Sequence, residues 1–185
     1  MRFPLKVLLF LIVLGCSQYG LGQKVHDSLI NKSHEELMKL TRQYYPDSSK
    51  TATFMFARLK KSKREKDTIK LASSYYNLGL ISPQRIHKKY LDSVILITKN
   101  LNDSRFPALA LVDLGYIEYH SENYKAAFEN YLSAYKLYEK HDNLNSDNAL
   151  IIKIAMGALK SLGGDYLGGL QNAKEVFEIE KMILL

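Results

Sequence analysis

The chain has 185 residues, a net charge of +7, and 46% hydrophobic and 24% charged residues, a globular composition that excludes a disordered chain. A single cysteine, Cys16, excludes a disulfide framework and a cysteine-based metal site. Only four prolines and long stretches without helix breakers argue against a many-stranded β fold and favour helices.

Residues 1–22 are predicted to be a secretory signal peptide. The basic segment "MRFPLK" precedes the apolar run "VLLFLIVL", which is too short to span a bilayer of ~30 Å as a helix. Small residues at Gly20 and Gly22 fit an ordinary signal-peptidase cut after residue 22. The segment "VLGC" offers an alternative, a lipoprotein signal ending at residue 15 with Cys16 lipidated, and a retained membrane anchor is a third. We therefore expect an exported protein, periplasmic or in the cell envelope, with a secreted or lipid-anchored form as the alternative.

The charge gives little evidence for a nucleic-acid partner. The net charge of +7 includes Arg2 and Lys6, and it falls to +5 without them. The densest cationic segment is "RLKKSKREK", Arg58 to Lys66. We interpret it as the solvated C-terminal end of a helix, where cations meet the negative end of the helix dipole. An acidic partner or a membrane surface is the alternative, and we expect no nucleic-acid binding by this chain.

Start and stop signals divide the rest of the chain into eight predicted helices. Ser33 and Glu36 form a capping box, Asp47 opens the second helix, and Pro83 suits the first turn of the fourth. The segment "GGD" ends the seventh helix, and its Asp165 caps the eighth. The predicted helices span roughly residues 33–45, 48–64, 66–81, 84–101, 105–121, 124–141, 147–162 and 166–182. Eight helices make four hairpins.

Two kinds of internal repeat run through these helices. The segment "YLDSVILITKNLND" from Tyr90 resembles "YLSAYKLYEKHDN" from Tyr131, with an aromatic residue and a small residue three positions apart on one helical face. Glycine recurs in the preceding helices at Gly79, Gly115 and Gly157, in steps of 36 and 42 residues. Periods of this length indicate stacked helical hairpins.

The segment "LVDLGYIEYHSENYKAAFENYLSAYKLYE" resembles a tetratricopeptide repeat, strongly over about 30 residues and more weakly in its neighbours. The resemblance implies an all-α fold, a right-handed α-solenoid of about four antiparallel helical hairpins spanning 33–185. The same resemblance assigns eight residues to packing within the repeats: Leu78, Gly79, Leu114, Gly115, Ala127, Tyr131, Ala134 and Gly157.

The layout is similar, more narrowly, to the N-terminal sensor part of bacterial membrane-linked regulators that carry an AraC-type helix-turn-helix domain. The segments "KREKDTIKLASSYYNLG" and "FPALALVDLGYIEY" carry this resemblance. It implies, as an alternative, that the chain is the sensor portion of a larger transcriptional regulator. Neither a membrane helix nor a DNA-binding domain follows in this sequence, so those activities are not transferred to it.

The glycine-rich stretch "LGGDYLGGLQNA", residues 162–173, raises the hypothesis of a phosphate-binding loop. Gly163 and Gly168 have the Walker separation, but Gly169 and Leu170 stand where Lys and Ser or Thr are required. We expect packing instead: Gly163 or Gly164 at a positive φ, and Gly169 at the closest approach of two helices. No role is assigned to Gly168, which is expected to weaken its helix.

No catalytic constellation emerges from the sequence. The histidines form no zinc-binding pair at helical spacing, and no nucleophile elbow follows a strand. We therefore expect a non-catalytic protein without a metal or cofactor, and a helical enzyme is the less favoured reading.

The expected function is binding of a protein or peptide in a groove. The inward positions implied by the resemblance are Tyr76, Asn77, Val112, Tyr116, Tyr119 and His120, with Ile154, Ala158 and Ser161 in the last repeat. Tyrosine offers a large contact area with a polar tip. The alternative is that some of these rings fill the core between hairpins. The residues with which some family members clamp a terminal carboxylate are missing from these positions.

The segment "EIEKMILL" is an apolar end without a helix cap. We expect such an end to be truncated or buried against a partner, which includes self-association of the chain.

Overall fold

The computed structural model describes residues 28–45, 47–101, 105–141, 143–144 and 146–183. Within these ranges the protein is all-α and contains no strand, as the sequence predicts. After a short helical turn at 28–30, the eight helices are α1 (His34–Gln43), α2 (Ser48–Glu65), α3 (Thr68–Leu80), α4 (Gln84–Thr98), α5 (Arg105–His120), α6 (Tyr124–Lys140), α7 (Asp147–Leu162) and α8 (Tyr166–Ile183). Each helix end lies within three residues of its predicted position.

The predicted signal peptide, with its competing cleavage sites and Cys16, lies outside the described residues. Among the helices that are described, none combines the length and the apolar character needed to cross a membrane.

Most of the predicted capping side chains cap their helices. The Ser33 hydroxyl accepts a hydrogen bond from the Glu36 amide at 3.0 Å, and the Ser33 amide donates to the Glu36 carboxylate at 2.6 Å. Asp47 accepts from an amide in the first turn of α2. Pro83 differs from the prediction, because it is the N-cap of α4 and does not lie inside the first turn. Its carbonyl accepts from the Ile86 amide at 2.8 Å, and a proline can supply that group without an N–H.

The described residues form two compact units, divided within α3 between Ser74 and Tyr75. In the first unit, α1 packs against α2. The Thr51 hydroxyl donates to the Tyr44 carbonyl at 2.7 Å, which ties the start of α2 to the end of α1. The buried hydroxyls of Ser62 and Ser74 lie 3.1 Å apart and join α2 to α3.

In the second unit each helix from α4 onward packs against the next along the chain. Its main core cluster is drawn from α5, α6 and α7, whose small and large side chains interlock. The cluster comprises Ala108, Ala127, Tyr131, Ala134, Tyr138, Ala149, Ile152, Met156 and Leu159. The residues assigned to repeat packing are all buried: Leu78, Gly79, Leu114, Gly115, Ala127, Tyr131, Ala134 and Gly157.

The repeated glycines lie where two consecutive helices approach most closely. A Cβ atom added at Gly115 would lie 2.7 Å from Cε1 of Tyr131 on α6. At Gly157 it would lie 3.0 Å from Cβ of Asn172 on α8, and at Gly79 the nearest side chain belongs to α4. Each glycine therefore gives the following helix room that any side chain would fill.

The glycines of residues 162–173 have structural explanations. Gly164 adopts φ 90°, as predicted for a helix end, and a Cβ at Gly169 would lie 2.9 Å from the Gly157 carbonyl oxygen. The prediction for Gly168 was incomplete. Its amide donates to the Asp165 carboxylate at 2.8 Å, and that carboxylate occupies the space where a Cβ would stand. Gly168 therefore accommodates the N-cap of α8.

The cationic segment from Arg58 to Lys66 needs a correction. α2 ends at Glu65, and Lys66 adopts a left-handed conformation with φ 54°. Lys63 and Arg64 lie exposed in the last turn, as the interpretation of a solvated helix end requires. Arg58 does not fit that interpretation, because it is buried at 9% exposure. Its Nη2 donates to the Ser73 hydroxyl at 2.9 Å, so the side chain turns toward α3 and away from solvent.

We expect Gly115→Leu to destabilise the protein by about 1–3 kcal/mol, because the new side chain would overlap the Tyr131 ring and separate α5 from α6. Chemical denaturation monitored by circular dichroism measures this change. Ala173→Leu is a matched control, since Ala173 is an exposed position in α8. An equal midpoint for Gly115→Leu and the parent chain would contradict the packing described for this glycine.

Candidate functional site

A cavity of about 480 Å³ opens in the second unit between the end of α3, the start of α4 and the last turns of α5. Gly79 helps to form it, because a Cβ there would lie 2.6 Å from Cδ2 of His87 and would displace that ring. The wall combines apolar, aromatic and titratable side chains. It is lined by Leu80, Ser82, Gln84, His87, Asp113, Tyr116, Ile117 and His120.

Two polar atoms in this wall lack a hydrogen-bond partner among the described residues. Nε2 of His87 and Oδ2 of Asp113 are both buried, and they lie 3.6 Å apart, beyond hydrogen-bond distance. The Tyr76 hydroxyl donates to the Asp113 carboxylate. Burial raises the pKa of Asp113 above its ordinary range, and burial next to this carboxylate raises the pKa of the Tyr76 phenol. The site therefore holds hydrogen-bonding capacity that the described chain does not use.

Beside the cavity, exposed rings follow one another from α5 to the start of α6, and we call Tyr116, His120, Tyr119 and Tyr124 the aromatic row. Ring centroids of Tyr116 and His120 are 4.2 Å apart, those of His120 and Tyr119 are 5.4 Å apart, and those of Tyr119 and Tyr124 are 5.7 Å apart. Tyr116 is 59% exposed and Tyr124 is 43% exposed. Mutual ring contacts reduce the conformational freedom of these side chains, so a ligand that stacks on them loses less entropy.

Polar contacts hold the end of α5, where the row lies. Lys88 on α4 forms an ion pair with Glu118, and the Asn123 side-chain amide donates to the same carboxylate at 2.9 Å. The Lys88 ammonium and the Asn123 amide lower the pKa of Glu118. These contacts join α4, α5 and the turn before α6, and so fix the backbone that presents Tyr119 and His120.

The sequence-predicted groove residues fall into two environments. Tyr116, Tyr119 and His120 are exposed and belong to the aromatic row. Tyr76 and Asn77 are half-buried, and the Tyr76 hydroxyl is engaged by Asp113. Val112 is also half-buried and packs against the core cluster of α5, α6 and α7. Val112 therefore fits the alternative hypothesis from the sequence, that some of these side chains fill the core.

The residues projected for the last repeat line a second cavity, of about 410 Å³, between α7 and α8. Ile154 is 51% exposed, Ala158 is exposed and Ser161 is half-buried. Tyr166 and Leu170 complete the wall from α8, and they are 73% and 67% exposed. This cavity presents mainly apolar atoms and lacks the polar pair found beside the aromatic row.

Sequence reasoning missed His87 and Asp113. No motif links them, since they lie on different helices and 26 positions apart. The one available signal was Gly79, whose missing side chain makes room for the His87 ring. Among the described residues, no group of three or more His, Cys, Asp or Glu side chains comes together in a way that could hold a metal ion.

We expect Asp113→Asn to raise the melting temperature at pH 7. The asparagine oxygen still accepts from Tyr76, its amide can donate to His87, and the buried charge is gone. Because the folded pKa of Asp113 is raised, its stabilising contribution is complete below the unfolded pKa of about 3.9 and is lost as pH rises through the folded pKa. The difference between parent and variant should therefore shrink as pH falls toward 4.

Thermal unfolding of both proteins across this pH range measures the effect. A variant that is less stable than the parent at pH 7 would contradict the prediction, because it would show that neighbouring groups stabilise the ionised carboxylate in the folded protein.

The comparisons with known proteins identify no family for this chain. A scan of the chain against models of known protein families finds no match, and no curated protein matches it significantly.

Proposed function

We propose that the chain is a non-catalytic binding protein that holds a protein or peptide segment against the aromatic row and the neighbouring cavity. The observation that carries this proposal is the exposure of four contacting rings next to an open, partly polar cavity. Aromatic side chains that are exposed, close together and held by a rigid helix are typical anchors for a partner. Nε2 of His87 and Oδ2 of Asp113, which have no hydrogen bond among the described residues, offer the partner a donor or acceptor to match.

We further propose that the helices form a tetratricopeptide-like right-handed solenoid of about four hairpins. The equivalent contacts at Gly79, Gly115 and Gly157 support a repeating hairpin. The contact at Gly79 reaches Tyr90, eleven residues on, whereas that at Gly115 reaches Tyr131, sixteen residues on. A turn shorter by about five residues in the earlier repeat accounts for this difference. In such a solenoid the first helix of each hairpin lines the binding surface, and α5, which carries Tyr116, Tyr119 and His120, is the proposed first helix of its hairpin.

The proposed setting is outside the cytoplasm, periplasmic or in the cell envelope, since the first 22 residues read as a signal peptide. Lipidation at Cys16 or a retained N-terminal anchor would hold the chain at a membrane. The proposed partner is a protein or peptide, not nucleic acid. A sensor portion of a larger regulator remains the alternative function, and its binding surface would be the same aromatic row.

The end of α8 supports self-association as a further proposal. Phe177 is 63% exposed and Met182 is 70% exposed. Side chains of this size gain about 1.5–3 kcal/mol each when fully buried, so a second copy could cover them. Sedimentation velocity would then show a concentration-dependent dimer in the parent and a monomer in Phe177→Glu. A monomer at all concentrations in both proteins would dismiss the proposal.

We expect the double variant Tyr116→Ala/Tyr119→Ala to lose peptide binding. A displayed peptide library, selected on the folded parent chain, supplies labelled ligands whose Kd is read by fluorescence anisotropy. Loss of the two anchors should weaken binding by about 2 kcal/mol or more, roughly thirtyfold.

The matched control is Tyr45→Ala/Phe56→Ala, which removes two exposed rings of the first unit, 69% and 47% exposed. It should bind the selected peptides as the parent does. If the Tyr116/Tyr119 variant is folded by circular dichroism and keeps the parent Kd, the aromatic row is not the binding surface.

A further inference from the structure

The first unit contains a cavity of about 510 Å³ that the proposed peptide groove does not use. It lies beside α1 and α2, and its wall is predominantly cationic. It is lined by His34, Glu35, Met38, Lys39, Arg42 and Arg58. Three lining side chains, those of Lys39, Arg42 and Arg58, carry a positive charge. One lining side chain, that of the exposed Glu35, carries a negative charge.

Arg58 is the unusual member of this wall. It is 9% exposed, and its Nη2 donates to the Ser73 hydroxyl at 2.9 Å. Its Nε and Nη1 atoms are buried and have no hydrogen-bond partner in the part of the chain that the structure describes. Burial lowers the pKa of this guanidinium. A buried cation without an anionic partner is costly, since desolvation is not repaid by any ion pair.

The nearby carboxylates do not supply that partner among the described residues. Glu65 accepts from Nε2 of His34 at 2.9 Å and pairs with Lys61 at 3.0 Å. Asp67 pairs with Lys70 at 3.1 Å. Nδ1 of His34 is a second buried polar atom in this wall without a partner. Both unused groups therefore border one cavity, and the permanent charges around it are mostly positive.

We propose that this cavity binds an oxyanion, a phosphate or carboxylate group, with Arg58 as the main donor and Arg42 and Lys39 completing its charge neutralisation. A guanidinium presents N–H donors in a fixed fork that can bond two oxygens of a carboxylate or of a phosphate through charge-assisted hydrogen bonds. Met38 gives the cavity an apolar wall, which suits an organic ligand that carries the anion. The site lies within the first unit and is independent of the aromatic row.

Isothermal titration calorimetry and thermal unfolding of the full chain test the proposal. The probes are inorganic phosphate and succinate, each against sodium chloride at equal ionic strength. We expect at least one probe to bind and to raise the melting temperature, and the two probes separate a phosphate site from a carboxylate site. Absence of binding by both probes would overturn the proposal.

Three variants locate the site. Arg58→Met should abolish anion binding while leaving the anion-free melting temperature unchanged or higher, because it removes an uncompensated buried charge. Arg42→Gln, at an exposed position, should bind the anion about tenfold more weakly. Arg64→Gln removes an equal charge from the exposed end of α2 and should bind as the parent does.

The outcomes distinguish a binding role from a structural one. If Arg58→Met lowers the melting temperature and retains anion binding, Arg58 is structural and the proposal is wrong. If Arg58→Met does not fold, Arg42→Gln decides: parent-like binding by that variant would place the anion elsewhere.

Discussion

The close contact between consecutive helices is the constraint on which the second unit depends. Gly115 has no side chain, so the Tyr131 ring lies directly on the backbone of α5. Gly157 and Gly169 repeat this solution between α7 and α8, where backbone meets backbone. Burial of large side chains around small ones fills the space without strain, which gives a protein interior its density. The same contact fixes the rotation of α5 about its axis.

That rotation determines which side of α5 faces solvent. Leu114 and Ile117 turn into the core, so Tyr116, Tyr119 and His120 are left on the opposite side. Exposure of these rings is therefore a consequence of core packing. It also leaves the rings accessible to the proposed partner. At the same end of the helix, the ion pair between α4 and α5 holds the backbone, and Gly79 admits a histidine ring beside the cavity.

The two candidate sites differ in the chemistry they leave unused. Beside the aromatic row, a buried carboxylate oxygen of Asp113 and an imidazole nitrogen of His87 lie 3.6 Å apart, within ion-pair distance and beyond hydrogen-bond distance. In the first unit, Nε and Nη1 of the Arg58 guanidinium have no hydrogen-bond partner among the described residues, and other cations line the same cavity. Buried polar groups are usually satisfied, so the unsatisfied atoms are what make these two places candidates for binding another molecule.

The sequence by itself determined the all-α fold, the helix boundaries and the positions of the close-packed glycines. These are local properties, because helix caps, breakers and a 3.6-residue period act over a few neighbouring residues. Tertiary structure alone decided that His87 meets Asp113, that Val112 belongs with the core, and that Arg58 turns inward. These features depend on contacts between helices far apart in the chain. No local pattern encodes them, since each arises only when the rotation and separation of both helices are set.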